Sequence, residues 1–422
     1  MKLKYQDKRL FSKIFYSVCM VMTATILSQI PVHGVNQEAW SKMFSSINIF
    51  GFSDVLSGGA LSQLSFGGFA ISSIIMSGIL FQLFSLMFPK LEKIRQNGES
   101  GRRTFRKLEF VFSMVITLTL SLVLVFGLSK TGVYHVEHKY EMFISVTEWF
   151  IGSFIICKMA QLNDDLGIGS GSTVLLAANI AGRIPMSISQ LINNNTSVFQ
   201  YIILGIVFIV ITLFAVYTND CTLPIPIQNT RKHMSVLSTT GNIPMQLMVA
   251  SVMPVIYATS LMFVPSLCLL MWPNSSLLLK LVPFTSQTNW YAMSDWKGIV
   301  GLLIYMLLIF SLSFYSARIT FSSEEVAMRM REKGDVIPNV RPGEDTVLFL
   351  DKYRTKLAFI SSFVLMTIVI LPDIILARFG LKSLDFMGVS LLILINCYSD
   401  IKLRISGMIK HWFKRYKLFG GC

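Results

Sequence analysis

An all-α, polytopic membrane protein with ten transmembrane helices is the fold class that the sequence predicts, and three observations predict it. The first is composition. Of 422 residues, 53% are hydrophobic and only 14% are charged, and the mean hydropathy is +0.60. A soluble globular domain carries roughly 25% charge, and a disordered chain needs low hydrophobicity, so both classes are excluded. The second is segmentation into ten apolar stretches, each near the ~20 residues that a bilayer crossing requires. The third is charge asymmetry. With the amino terminus inside, the inner segments hold 28 Lys and Arg and the outer loops 7, the bias that orients a chain across a membrane.

The ten segments are 14–31, 66–86, 108–128, 144–162, 172–190, 200–217, 246–270, 298–317, 357–376 and 386–400. The first ends in Ile30-Pro31 with no small-residue cleavage site behind it, so it reads as a span and not a removable leader. The third, sixth, seventh, eighth and ninth are continuous apolar runs. The fourth contains Glu148 and Lys158 and is the least apolar, but deleting it alone would put every later loop on the wrong side. The tenth is short for a full crossing. An even count places both termini in the cytoplasm. The chain divides into 1–190, a connecting loop at 191–199, and 200–422, with inner loops at 218–245 and 318–356 and a basic tail at 401–422.

Several function classes fall away. Cys19, Cys157, Cys268 and Cys397 lie inside apolar runs, which leaves no disulfide framework. The net charge of +14 is explained by basic inner loops that orient the protein and meet anionic lipid, and no nucleic-acid partner is expected. Gly167-Ile168-Gly169-Ser170-Gly171 lacks the Gly-x-x-x-x-Gly-Lys-Ser/Thr pattern of a phosphate loop and reads as a tight turn between helices. His135 and His138 sit with Glu137 and Glu141 in an outer loop that reads as solvated and not as a metal site. No nucleophile–base set stands out. The expectation is a passive membrane protein with no cofactor, powered from outside. The 318–356 loop and the Asn97–Lys107 stretch are densely basic and carry Gly and Pro turn signals, which suits a docking surface.

Certain segments carry more information than their hydropathy. They are Ile30-Pro31-Val32-His33-Gly34-Val35, the outer stretch ending Leu56-Ser57-Gly58-Gly59-Ala60-Leu61-Ser62-Gln63-Leu64-Ser65, and Asn97-Gly98-Glu99-Ser100-Gly101-Arg102-Arg103. They continue with Gly167 to Gly171, Ala181-Gly182-Arg183-Ile184-Pro185, Val252-Met253-Pro254-Val255-Ile256-Tyr257-Ala258-Thr259-Ser260, and Ile337-Pro338-Asn339-Val340-Arg341-Pro342-Gly343-Glu344-Asp345-Thr346 followed by Leu350-Asp351-Lys352. In this order, on this frame, they resemble the SecY family, the central subunit of the bacterial protein-translocation channel. The resemblance implies two five-helix halves related as an inverted repeat. An hourglass pore lies between them and opens sideways to lipid between spans two and seven.

A channel for unfolded polypeptide must pass polar chain without leaking ions. A narrow ring of bulky aliphatic side chains does this, because it fits loosely around any chain and dewets when empty. The resemblance implies a ring of Ile75 and Ile79 in span two, Leu176 and Ile180 in span five, Met253 and Ile256 in span seven, and Ile393 in span ten. The pairs are four, four and three residues apart, as one helical face demands. The outer segment 47–60 aligns with the family's plug, with Ile47, Phe50, Phe52, Val55 and Leu56 as its apolar body and Gly58 and Gly59 as a flexible end. Arg183 lies three residues beyond Ile180. It either faces the outer funnel or snorkels to the outer interface.

The resemblance also implies partners. These are a SecA-type ATPase motor docked on the inner loops, a SecE-like small membrane subunit, and an unfolded substrate with a signal sequence. The docking candidates are Arg231 and Lys232, and Arg341 in its turn with Pro342 and Gly343. The departures from the housekeeping pattern concern the lateral gate. Gln82 is kept, Met248 replaces a polar Asn, and Ser73-Ile74 replaces Pro-Tyr. These features resemble the accessory SecY paralogue of Gram-positive bacteria, which exports serine-rich glycosylated adhesins with its own motor and accessory Sec proteins. A housekeeping channel is the alternative. A secondary solute transporter is the alternative of a different class, and it would place polar or charged groups at mid-membrane.

Overall fold

The computed structural model describes residues 2–41, 54, 56–88, 98–129, 139–193, 198–229, 241–271, 275–285, 290, 296–378 and 387–418. Twelve helices run through them: α1 (Lys2–Gln29), α2 (Ala70–Met87), α3 (Gly98–Ser129), α4 (Lys139–Leu166), α5 (Gly171–Asn193), α6 (Val198–Asp220), α7 (Met253–Met271), α8 (Ser276–Thr285), α9 (Trp296–Thr320), α10 (Ser323–Lys333), α11 (Glu344–Arg378) and α12 (Met387–Leu418). Six of them, α1, α3, α4, α6, α9 and α11, hold described stretches long and apolar enough to cross a membrane. The apolar stretches of α2 and α7 are shorter among the described residues.

The helices overrun the apolar segments where polar sequence is still good helix former. α3 begins ten residues before its apolar run and α11 thirteen, both through basic sequence. α12 extends to 418, so the short tenth segment is only the apolar part of a 32-residue helix. In the other direction, α7 starts seven residues late, because the inner loop ahead of it is not helical.

The inner loop corrects the all-α expectation. Residues Thr222–Asn229 form strand β1, Gly241–Gln246 form β2, and Asp335–Val336 form β3, in the order β2-β1-β3. β1 and β2 pair antiparallel from Thr222↔Gln246 to Ile227↔Gly241, and β3 joins the end of β1 through Gln228↔Val336 and Asn229↔Asp335. The alternation Leu223, Ile225, Ile227 against Pro224, Pro226 and Gln228 is a strand period, and it was hidden by its prolines. Proline is tolerated where a strand is an edge, and β3 covers β1 only at its last two residues. The sheet ties the 218–245 loop to the 318–356 loop.

Packing repeats along the chain. α1 packs on α4 and α5, α2 on α3, α3 on α4, and α4 on α5. The same pattern recurs with α6, α7, α9, α11 and α12 in the places of α1 to α5: α6 packs on α11 and α12, α7 on α9, α9 on α11, and α11 on α12. Between the sets, α7 meets α2 and α3, and α12 meets α5. Small hydroxyl residues make the close approaches. Ser73, Ser77, Thr117 and Ser313 are buried, and each donates to a carbonyl of its own helix (Ala70, Ile74, Ser113 and Ile309) at 2.6–3.0 Å. Backbone polar groups in lipid must be satisfied internally, and this pattern lets helices touch without orphaning the hydroxyls. The opposite faces are bare aliphatic; on α6, Ile202, Ile206, Ile209 and Leu213 are all exposed.

Residue 54 and residues 56–69 form a hook that leads into α2. Val32 N–H donates to Leu64 O (3.0 Å), Phe66 N–H to Ile30 O (3.0 Å) and Gly67 N–H to Leu27 O (3.2 Å). The indole N–H groups of Trp40 and Trp149, both fully buried, donate to Leu61 O (3.3 Å) and Ser65 O (3.1 Å). α4 approaches the hook so closely that a Cβ on Gly152 would lie 2.3 Å from Phe66 O. Gly152→Ala is therefore expected to cost about 1–3 kcal/mol and to lower the unfolding midpoint of the detergent-purified protein. Gly205→Ala on α6, where a Cβ meets nothing within 4 Å, is the neutral control. Equal midpoints for the two variants would contradict the contact.

Candidate functional site

Four helices contribute the ring positions. Ile75 and Ile79 share a face of α2, Leu176 and Ile180 a face of α5, Met253 and Ile256 the first turn of α7, and Ile393 lies on α12. Six of the seven are buried and Met253 is half-buried; all belong to or pack on the large apolar core that spans most of the helices, which Leu56 of the hook also joins. The helices involved, α2, α5, α7 and α12, are, with α3, those that meet between the two packing sets. Ile47, Phe50, Phe52 and Val55 lie outside the described residues.

The described part of the outer segment is docked on α5. Arg183 Nη1 lies 2.5 Å from Asp54 Oδ2, and the Asp54 side chain is only 3% exposed. Its other oxygen accepts from Ser62 N–H at 2.8 Å. One α5 turn earlier, Asn179 Nδ2 donates to Leu56 O at 3.0 Å. Arg183 is thus paired with an acidic partner in the outer segment. Gly58 (φ 71°) and Gly59 (φ 89°) follow in left-handed conformations, and a Cβ on Gly58 would press on the Asn179 side chain at 2.9 Å. Asp54 and Asn179 were not singled out by sequence. The available signal was an acid in an otherwise apolar outer stretch, opposite in sign to the single arginine of span five.

On the inner side, the Gly167 to Gly171 turn is held by acids. Asp164 Oδ1 accepts from Gly171 N–H at 2.7 Å, and Asp400 Oδ2 of α12 accepts from Ser170 N–H at 3.1 Å. Ser17 Oγ of α1 donates to Asn163 Oδ1 at 2.6 Å and accepts from Ile168 N–H at 2.9 Å. These contacts join the middle of α1, the end of α4, the start of α5 and the middle of α12. A cavity of about 100 Å³ nearby is lined by Ser77, Glu109, Ser113, Cys157, Gln161 and Asp164. Asp164 stands near the end of α4, while Glu109 lies within α3, its carboxylate 3.4 Å from where a Cβ on Gly78 of α2 would be. Among the described residues no group of three or more His, Cys, Asp or Glu could hold a metal ion.

Gln82 lies on α2, with its side chain outside the description. Met248 is buried in the turn before α7, where it shares a small cavity with Asn219 of α6 and Asn396 of α12. Ser251 Oγ donates to Asn396 Oδ1 there at 3.0 Å. Arg231 and Lys232, like His135 and His138, lie outside the described residues. Arg341, Pro342 and Gly343 are exposed. Their turn is fixed from both sides: Thr346 Oγ1 donates to Arg341 O at 2.9 Å, and Gly343 has φ 121°. Before it, α10 starts at the Ser322 cap with Glu324 and Glu325 in its first turn and stops at left-handed Gly334, the arrangement its dipole favours.

The architecture is that of a multi-pass membrane protein in which two sets of helices share a large apolar core and the described outer residues Asp54 and Leu56 are bonded to α5. A SecY family model matches residues 65–401, and the chain belongs to the SecY family of protein translocase subunits. It is 25% identical over 432 residues to the protein translocase subunit SecY of Staphylococcus epidermidis, covering 99% of this chain and 98% of that one. It is 29% identical over 428 residues to the Helicobacter pylori subunit of the same name, covering 97% and 98%. Among solved structures, a chain described as a protein-conducting channel matches with TM-score 0.63 at 18% identity, over 94% of this chain and 92% of that one. A canine Sec61 chain from a ribosome-channel complex matches with TM-score 0.61 at 17% identity, over 94% and 92%. At these identities the structural matches speak for the fold.

Proposed function

We propose that this chain is the central pore-forming subunit of a protein-export translocase, conducting unfolded polypeptides across the cytoplasmic membrane under the drive of a separate SecA-type ATPase. The observation that carries the reading is the family match over residues 65–401, with the seven collar positions that it implies, from four helices, all in or packed on the apolar core. Such a collar suits a cargo of arbitrary sequence, because its only chemical demand is to be apolar and bulky. A solute carrier would place charged or polar groups at that depth, whereas the seven collar positions are apolar.

In this reading α2, α5, α7 and α12 join the six long apolar helices to make ten spans, with both termini in the cytoplasm. The repeated packing pattern supports two halves, 1–190 and 200–422, joined around 191–199. Residues 47–60 act as a plug. Gln82 and Met248 belong to the lateral gate, where α7 packs on α2 and α3. A SecE-like subunit braces the halves, and membrane lipids meet the exposed aliphatic faces. The finer assignment is the accessory system that exports serine-rich glycosylated adhesins, supported by Met248 and by Ser73-Ile74; the housekeeping channel is the alternative. The test is site-specific photocrosslinking of a cargo stalled midway. Crosslinks are expected at Ile79, Ile180, Ile256 and Ile393, and their absence at all seven ring positions would remove the channel reading.

A further inference from the structure

We propose that the groove between α9 and α11 is a binding site for an anionic phospholipid, held by its headgroup phosphate at Lys352 and Lys356 and by its acyl chains along a strip of phenylalanines. The inference goes beyond the channel reading and needs only that α9 and α11 cross the membrane. Lys352, Thr355, Lys356, Phe359, Ile360 and Phe363 recur at the three- and four-residue spacing of one helical face, and all are exposed. The opposite face of α11 is buried through Leu350, Leu357, Ser361 and Leu365. Beside the exposed face, α9 contributes Phe314, and the two helices line an open groove of about 610 Å³. Phe310 of α9 continues the strip. Its ring centroid lies 5.0 Å from that of Phe314, 5.9 Å from Phe359 and 6.2 Å from Phe363.

The polarity of the groove runs the way a phospholipid does. Both lysines precede the apolar run of α11, which starts at 357, whereas Phe359 and Phe363 lie inside it and Phe310 and Phe314 lie inside the run of α9. Charge therefore stands at the membrane edge and rings at acyl depth. Neither lysine is ion-paired among the described residues, and Lys356 Nζ stands 6.0 Å from the centre of the Tyr353 ring. The acid in the lining, Asp351, is paired with Arg354 at 2.8 Å. A basic pocket between helices at a membrane edge recognises anionic headgroups, and lysine stems lie along apolar surface while their ammonium groups reach out. A soluble anion would satisfy only the lysines, and an apolar helix only the rings. A zwitterionic lipid brings the same chains but adds a cationic group that the lysines repel. An anionic phospholipid answers both halves of the groove.

The test is a lipid titration of the detergent-purified full-length protein, reading its unfolding midpoint. Phosphatidylglycerol is expected to raise the midpoint at lower concentration than phosphatidylcholine with the same acyl chains, and inorganic phosphate should leave it unchanged. Lys352→Gln combined with Lys356→Gln should raise the half-saturating concentration of phosphatidylglycerol roughly thirtyfold, the scale of two surface charges, and leave that of phosphatidylcholine as it was. Phe359→Ala should weaken both lipids. Arg331→Gln combined with Lys333→Gln removes the same charge from exposed positions on α10 and should change neither. Equal responses to the two pairs of substitutions, or equal affinity of the parent for the two lipids, would overturn the headgroup site. Protection by inorganic phosphate alone would make it a site for a soluble anion and overturn the lipid. Should the glutamine pair fail to fold, a photoreactive residue in place of Thr355 decides with both lysines intact. In vesicles of phosphatidylglycerol mixed evenly with phosphatidylcholine it should label the first. Equal labelling of both, or capture of a protein when the same variant sits in its native membrane, would overturn the proposal.

Discussion

Replacing Ile79, Ile180 and Ile256 together by asparagine is expected to make the idle protein conduct ions roughly a hundredfold faster, a barrier lower by about 2.7 kcal/mol. The three side chains are buried, come from α2, α5 and α7, and lie in one cluster. An aliphatic constriction excludes ions because water leaves it; amides hold water and restore a hydrated path. Asparagine is preferred to glycine because it leaves a smaller cavity, and cavity terms alone destabilise a helix bundle. The measurement is single-channel conductance of the purified full-length protein, with monodisperse elution as the folding control. A solute carrier would respond to the same change with altered uptake of its solute and no leak. A tight bilayer in the presence of folded triple variant would contradict the collar.

The parts of the fold that were legible in sequence are those governed by period and hydropathy. Ile75/Ile79 and Leu176/Ile180 could be placed on single helical faces because a spacing of four leaves no other choice, and the structure buries them as pairs. Long-range pairing is a different matter. Nothing local to Asp54 identifies Arg183, 129 residues away, as its partner. Ser170 N–H finds Asp400 across 230 residues, a contact set by the meeting of α5 and α12. The sheet was missed because Pro224, Pro226 and Pro244 mask a two-residue period, and because β3 is two residues long and has meaning only beside β1. The inner turn at 167–171 was legible as a turn, but not as an acid-anchored joint between α1, α4, α5 and α12.

Arg341→Glu is expected to reduce motor-driven export by roughly tenfold to a hundredfold, the scale for losing one well-placed charge-assisted contact and adding a repulsion. Arginine suits docking because its planar fork pairs with a carboxylate in fixed geometry, whereas lysine offers a point charge. Presentation matters as much as charge. Arg341 is exposed at the amino-terminal end of α11, with its carbonyl held by Thr346 and its turn closed by Gly343. Ile337, four residues earlier, is buried in the core, and β3 just ahead of it is laddered to β1. A push on this turn is therefore transmitted to the 218–245 loop and to α11, not dissipated in a free loop. Arg341→Lys should fall between parent and Arg341→Glu, because charge survives and the fork is lost. Arg329 sits on the preceding helix α10 with its own Glu325 partner, so Arg329→Glu should have a small effect and serves as the control for bulk charge. The assay is ATP-dependent export into inverted membrane vesicles, with the amount of inserted channel measured alongside. Resting ion flux should be unchanged, since Arg341 is remote from the collar in sequence and lies on the inner loop. Normal export by Arg341→Glu, or equal losses in Arg341→Glu and Arg329→Glu, would mean that the basic loop acts only through its net charge and that this turn is not the docking point.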